Sequence, residues 1–221
     1  MKVFFFAFFL FLASFAFSQS NKELKEIYKA ARDSSSGNYI ILKSKEKKEI
    51  KSINVYKGGR GAGKAVLANG EKIKFIPGDI IEYQDEDGFY KVCIAIGMQS
   101  DGEVVAGQNF AKRKYIANIN IYTMSLNYSK LLRKENESPI SVAFFYCIET
   151  NNDGNLVALV NDTAVVNKVE SLVKKSSAAI EIINELKSKY GKFTSVGYAA
   201  SKLLDAVMTY NKDAAEGKLM N

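Results

Sequence analysis

The sequence predicts an α+β fold, on three observations. Spacing changes near Asn38 from helical to strand-like, tight-turn dipeptides such as Asn69-Gly70 separate the alternating runs, and helical spacing of apolar residues returns near Asn161. The expected architecture is a short N-terminal helix, an antiparallel β-rich middle forming a sheet or partly open barrel, and a C-terminal αα-hairpin packed on it.

The elements follow in order. Ser20 and Glu23 have capping-box spacing, and Leu24, Ile27, Tyr28 and Ala31 share one face of a helix over residues 21–32. Ser34, Ser35, Ser36 and Gly37 end it. Strands are expected at Tyr39-Ile40-Ile41-Leu42, over 50–56 and over 64–67, the last leading into Asn69-Gly70, where a tight hairpin calls for positive φ at both central residues. Residues 71–76 return and close at Pro77-Gly78. A second hairpin runs through Asp85-Glu86-Asp87-Gly88 to a strand over 89–96. Further strands are expected over 114–124, 140–149 and 156–160, with Phe144-Phe145 marking a buried central strand. Asp162 can cap a long helix carrying Val165, Val169, Leu172, Val173, Ile180, Ile183 and Leu186 inward, with any bend at Ser176-Ser177. Thr194 or Ser195 begins the last helix.

Residues 1–18 are expected to be a signal peptide: Lys2 supplies a positive start, residues 3–17 are apolar apart from Ser14, and small residues stand at Ala16 and Ser18 before Gln19. That run is too short for a bilayer-spanning helix, so the chain is not expected to be an integral membrane protein. The expected localisation is exported: periplasmic, associated with the outer envelope, or secreted. Domain boundaries follow as a leader at 1–18, helix and linker at 19–37, a β-rich domain at 38–160, a helical hairpin of the same domain at 161–213, and a flexible tail at 214–221.

Charge is unevenly distributed. The net charge is +7, of which one unit leaves with Lys2, yet residues 43–64 hold eight basic residues against two acidic ones. Lys43, Lys45, Lys47, Lys48, Lys51, Lys57, Arg60 and Lys64, with Tyr56 beside them, are the candidate contacts for an anionic surface or a protein partner. The same lysines also suit a solvated, protective sheet edge. Nucleic acid is not the expected partner, because neither a recognition helix nor an aromatic strand motif accompanies the patch.

Other constellations are weaker. Residues 58–64 have the glycine and lysine spacing of a phosphate loop, but Ala65 replaces the metal-binding hydroxyl and a strand follows where a helix is needed, so no nucleotide and no cofactor are expected. Glu82, Asp85 and Asp87 read as turn chemistry, and no metal site is expected. Cys93 and Cys147 are the only cysteines, and both lie in strand-like runs. Pairing and two buried thiols both remain open. A catalytic thiol lacks the usual base, since the chain has no histidine.

The leader ending Ala16-Phe17-Ser18 looks like that of exported Bacteroidota proteins. The body, with Gly37-Asn38-Tyr39-Ile40-Ile41-Leu42, the unit Lys74-Phe75-Ile76-Pro77-Gly78-Asp79-Ile80-Ile81-Glu82-Tyr83 and a helical end near Tyr210-Asn211, resembles a loosely defined group of uncharacterised exported proteins of those bacteria. The glycine-rich residues 58–63 and the lysine-rich opening depart from that pattern. The resemblance implies export and no catalytic residues. Expected function is therefore a non-enzymatic interaction module binding a protein or an anionic envelope surface, the alternative being a small-ligand carrier or enzyme with a pocket between sheet and helical hairpin.

Overall fold

The computed structural model describes residues 37–56, 61–98, 104–128, 141–149, 155–189 and 196–220. The leader and the helix expected over 21–32 lie outside them, as do Lys57 and Arg60. Among the described residues ten strands form one antiparallel sheet: β1 (Tyr39–Leu42), β2 (Lys47–Val55), β3 (Gly63–Leu67), β4 (Lys72–Phe75), β5 (Ile80–Asp85), β6 (Gly88–Met98), β7 (Val104–Tyr115), β8 (Ile121–Tyr128), β9 (Ser141–Glu149) and β10 (Leu156–Ala158). Their spatial order is β10-β9-β8-β7-β6-β5-β1-β2-β3-β4, so β4 and β10 are edges and the sheet is open. Three helices follow among the described residues: α1 (Thr163–Val173), α2 (Ser177–Lys189) and α3 (Val196–Ala215). Among the described residues no helix is long and apolar enough to cross a membrane.

Three apolar cores alternate across the sheet. On one face, Ile40, Ile50, Ala65, Leu67, Phe75, Ile80, Tyr83 and Phe110 pack where β2, β3 and β4 curl over the central strands. Tyr83 stacks on Tyr90 at 4.4 Å and meets Phe110 edge-on at 4.9 Å, the geometry that ring quadrupoles favour. On the opposite face, Tyr39, Phe89, Cys93, Ala111, Tyr122, Met124, Phe145, Cys147 and Ala158 meet because β8, β9 and β10 curl the other way, bringing β10 against β6. Ile121, Ile148 and Leu159 face outward from that second curl and are covered by Val166, Val169, Val173, Ile183, Leu186, Leu203 and Val207 of the helices.

Bulges interrupt several of the strand pairings. Register slips between Ile50 and Ser52 at the β2–β3 pairing and between Arg113 and Tyr115 at the β7–β8 pairing. Each inserts one unpaired residue, Lys51 or Lys114, and an extra residue bends a strand and increases its local twist. The Lys51 bulge also returns both Ile50 and Ile53 to the same apolar face.

Local chemistry accounts for several departures from expectation. The strand expected over 114–124 is two strands with a turn between them, since the Asn120 side chain accepts from the Ala117 amide at 3.1 Å. At Asn69-Gly70 only Gly70 has positive φ, and the Asn69 side chain accepts from the Glu71 amide instead. Phe145 is buried, but Phe144 is 82% exposed, so β9 is half-buried and not a fully enclosed strand.

The helical region also departs from a simple hairpin. Asp162 caps α1 by accepting from the amides of Ala164 and Val165. The long helix expected after it is broken at Ser176-Ser177, the position expected for a bend: the buried Ser176 hydroxyl accepts from the Ala179 amide at 3.0 Å and donates to the Asp213 carboxylate, starting a separate α2. Over the tail expected at 214–221, α3 runs to Ala215, and the Met220 amide donates to the Lys175 carbonyl.

Candidate functional site

Strand alternation sorts the basic residues onto different surfaces. Lys43 and Lys45 lie in the turn between β1 and β2, Lys45 with a φ of 67°. Lys47 projects over the Tyr39 ring at 4.0 Å, whereas Lys48, opposite Ile40, pairs with Glu46 at 3.6 Å. Lys51 is the exposed bulge residue, and Tyr56 at the end of β2 is 43% exposed. The described basic residues over 43–56 are therefore divided between surfaces, because neighbours in a strand point to opposite sides.

Register builds a different basic group. Lys64 of β3 stands directly opposite Lys74 of β4, and Val66 stands opposite Lys72. Ala65, Leu67 and Phe75 face the core, so Lys64, Lys72 and Lys74 all point to solvent from the curled lobe. Among the described residues no ion pair engages Lys51, Lys64, Lys72 or Lys74. Sequence reading missed Lys72 and Lys74. Their signal was present in the Lys72-Ile73-Lys74-Phe75 alternation, across a hairpin from Lys64.

The glycine-rich segment has a packing explanation. A Cβ on Gly63 would stand 2.4 Å from the Asn54 carbonyl oxygen and 2.6 Å from the Phe75 ring, and one on Gly61 would stand 2.5 Å from both Pro77 and the Asn109 side-chain oxygen. Those glycines let β3 approach its neighbours closely. The chain then continues as β3, not as the helix that a phosphate loop requires.

A polar seam absent from the sequence reading runs across the concave face of the second curl. Lys91 on β6 donates to Glu149 on β9 at 2.6 Å, while Asn120 and Tyr122 donate to the other carboxylate oxygen, each at 2.8 Å. Nearby, the Tyr39 hydroxyl donates to Glu82 at 2.9 Å, and Arg113 lies 4.0 Å over the Phe89 ring. Burial works to raise the Glu149 pKa, but hydrogen bonds from Lys91, Asn120 and Tyr122 outweigh it and hold the carboxyl below its ordinary range. Burial first, then the bond to Glu149, pushes the Tyr122 hydroxyl well above the usual tyrosine range. The two carboxylate oxygens are thus occupied by three donors, an arrangement that joins strands.

Cys93 and Cys147 also meet on this face. Their sulfurs are 3.4 Å apart, although β6 and β9 are separated in the sheet by β7 and β8. The contact with Cys93, followed by burial, raises the Cys147 thiol well above its ordinary value. The acidic turn is occupied locally, since Asp85 accepts from the amides of Asp87 and Gly88. No group of metal-binding side chains is present among the described residues.

Comparison with protein-family models, curated proteins and solved structures finds no match to this chain.

Proposed function

We propose that the chain is a non-enzymatic exported interaction module, and that the solvent face of β2, β3 and β4 binds an anionic envelope surface. The observation that carries this reading is the direct opposition of Lys64 and Lys74, with Lys72 beside them and no ion pair to any of the three among the described residues. Like charges directly opposed across a sheet weaken it, and a bound anion relieves that repulsion. Export rests on the charged and apolar pattern of residues 1–18. Lys51 and Tyr56 border the group, and Lys43, Lys45, Lys47, Lys57 and Arg60 add long-range attraction.

The alternative, a carrier or enzyme with a pocket between sheet and helices, has less support. Ile121, Ile148, Leu159, Val169, Ile183, Leu186 and Leu203 fill that interface with aliphatic groups.

Retention on an immobilised sulfated polysaccharide at low ionic strength tests the proposal. Wild-type protein should bind and elute as salt rises, because exposed charges are screened beyond about 10 Å at 0.1 M salt. Lys64→Glu/Lys72→Glu/Lys74→Glu should bind at least about tenfold more weakly, a loss of ~1.4 kcal/mol, with an unchanged circular-dichroism spectrum. Failure of the wild type to bind at low salt, or equal binding by a folded triple variant, would sink it.

A further inference from the structure

We infer that Cys93 and Cys147 form a disulfide that fastens β9 to β6 and locks the inward curl of the sheet. The inference rests on a contact that secondary structure does not impose. Nothing in the hydrogen-bonded ladder brings β6 to β9, because β7 and β8 stand between them. The sulfurs nevertheless lie 3.4 Å apart, with Cys93 2% and Cys147 0% exposed. A disulfide requires a separation near 2.05 Å, so the two side chains together need to close about 1.4 Å. Phe89, Tyr122, Phe145 and Ala158 pack around the same curl, which holds the cysteine-bearing strands face to face.

The oxidant is a disulfide R–S–S–R, either a small molecule or the active-site disulfide of a thiol oxidoreductase. One cysteine thiolate attacks a sulfur of the oxidant, forming a mixed disulfide and releasing one thiol. The second cysteine then displaces the other thiol. The protein loses two S–H bonds and gains one S–S bond, the oxidant's S–S bond is reduced, and the two protons leave with two R–SH. Burial keeps an oxidant away from the finished site. Exchange therefore takes place before β8, β9 and β10 close over β6, or when that closure opens, and the same burial then shields the bond from reductants.

The clamp is independent of the proposed anion-binding face, and its test reads neither polysaccharide nor charge. Full-length protein refolded in a mixture of oxidised and reduced glutathione, alkylated in denaturant and digested with trypsin should yield residues 92–112 joined to residues 135–168. That species should disappear on reduction. Recovery of both cysteines as alkylated thiols, or a bond between two chains, would overturn the proposal.

A second measurement tests the clamp itself. Reductant added to the oxidised protein in urea should lower the folding equilibrium constant about 10²–10³-fold, whereas Cys93→Ala/Cys147→Ala should show the same urea midpoint with and without reductant. An oxidised wild type whose midpoint does not respond to reduction would refute the locking role.

Discussion

At the scale of single residues, the side chain that is missing can matter as much as one that is present. Gly63 sits in a strand, where glycine ordinarily weakens pairing, yet its Cβ position is already taken by the Asn54 carbonyl and the Phe75 ring. Gly63→Ala should destabilise the protein by about 2 kcal/mol, in the range of overpacked core positions, as measured by urea unfolding. An equal change at Lys64, the next residue, should be close to neutral, within about 0.5 kcal/mol, because Lys64 is exposed and outside any ion pair among the described residues. Phe144 and Phe145 make the same point about adjacent positions: one is 82% exposed and the other is buried.

Between elements, a few side chains fasten helix to sheet. Asn211 of α3 both accepts from the Ile119 amide and donates to the Ile119 carbonyl, each at 2.9 Å, completing the backbone of the turn that precedes β8. Ile119 is only 3% exposed, so its polar backbone has little access to water. Asn211→Ala should therefore cost about 2 kcal/mol, the penalty for stranded buried hydrogen-bonding groups. Hydrogen exchange locates the effect: the Ile119 amide should exchange at least about tenfold faster in the variant. On the outer side of the helices, Glu185 of α2 takes Lys189 at 2.6 Å and Lys202 of α3 at 2.9 Å, and bonds from those two lysines pull its pKa down to about 2. These charges are exposed, so this link is screened by salt in a way that the Asn211 contact is not.

For the molecule as a whole, the two opposite curls are held by what lies on their concave faces. Aromatic and aliphatic packing fills the first, while the second also contains the Lys91–Glu149 pair, with side chains 18% and 17% exposed, and the two cysteines. The Glu149 pKa is lower in the folded protein than in the unfolded chain, so its stabilisation is fully present above the ordinary carboxylate value and is lost as pH falls through the lowered folded value. Glu149→Gln should cost about 3 kcal/mol at neutral pH by leaving Lys91 without its countercharge. The gap between wild type and variant should narrow as pH drops below about 4, where the unfolded carboxyl becomes protonated. A gap that stayed constant down to pH 2 would refute this linkage.

The α+β class, the turns that follow β3, β4 and β5, the Asp162 cap and the apolar faces of the helices were legible in the sequence, because each depends on residues within a few positions of one another. β7 was hidden because Gly107, Gln108, Asn109 and the run Lys112-Arg113-Lys114 break its alternation. The Lys51 bulge disguised the shared face of Ile50 and Ile53. The basic cluster was only half legible: Lys64 was found, whereas Lys72 and Lys74 joined it through the β3–β4 register. Glu149, Lys91 and Tyr122, like Cys93 and Cys147, come from strands far apart in the chain, and only the curl brings them together. Composition and period by themselves determined most of the strands, the helical character of the C-terminal region and the stretch of sequence richest in positive charge. The tertiary structure decided which charges share a face and which sulfurs touch, because register and curvature are set by bulges and by core packing summed over many strands.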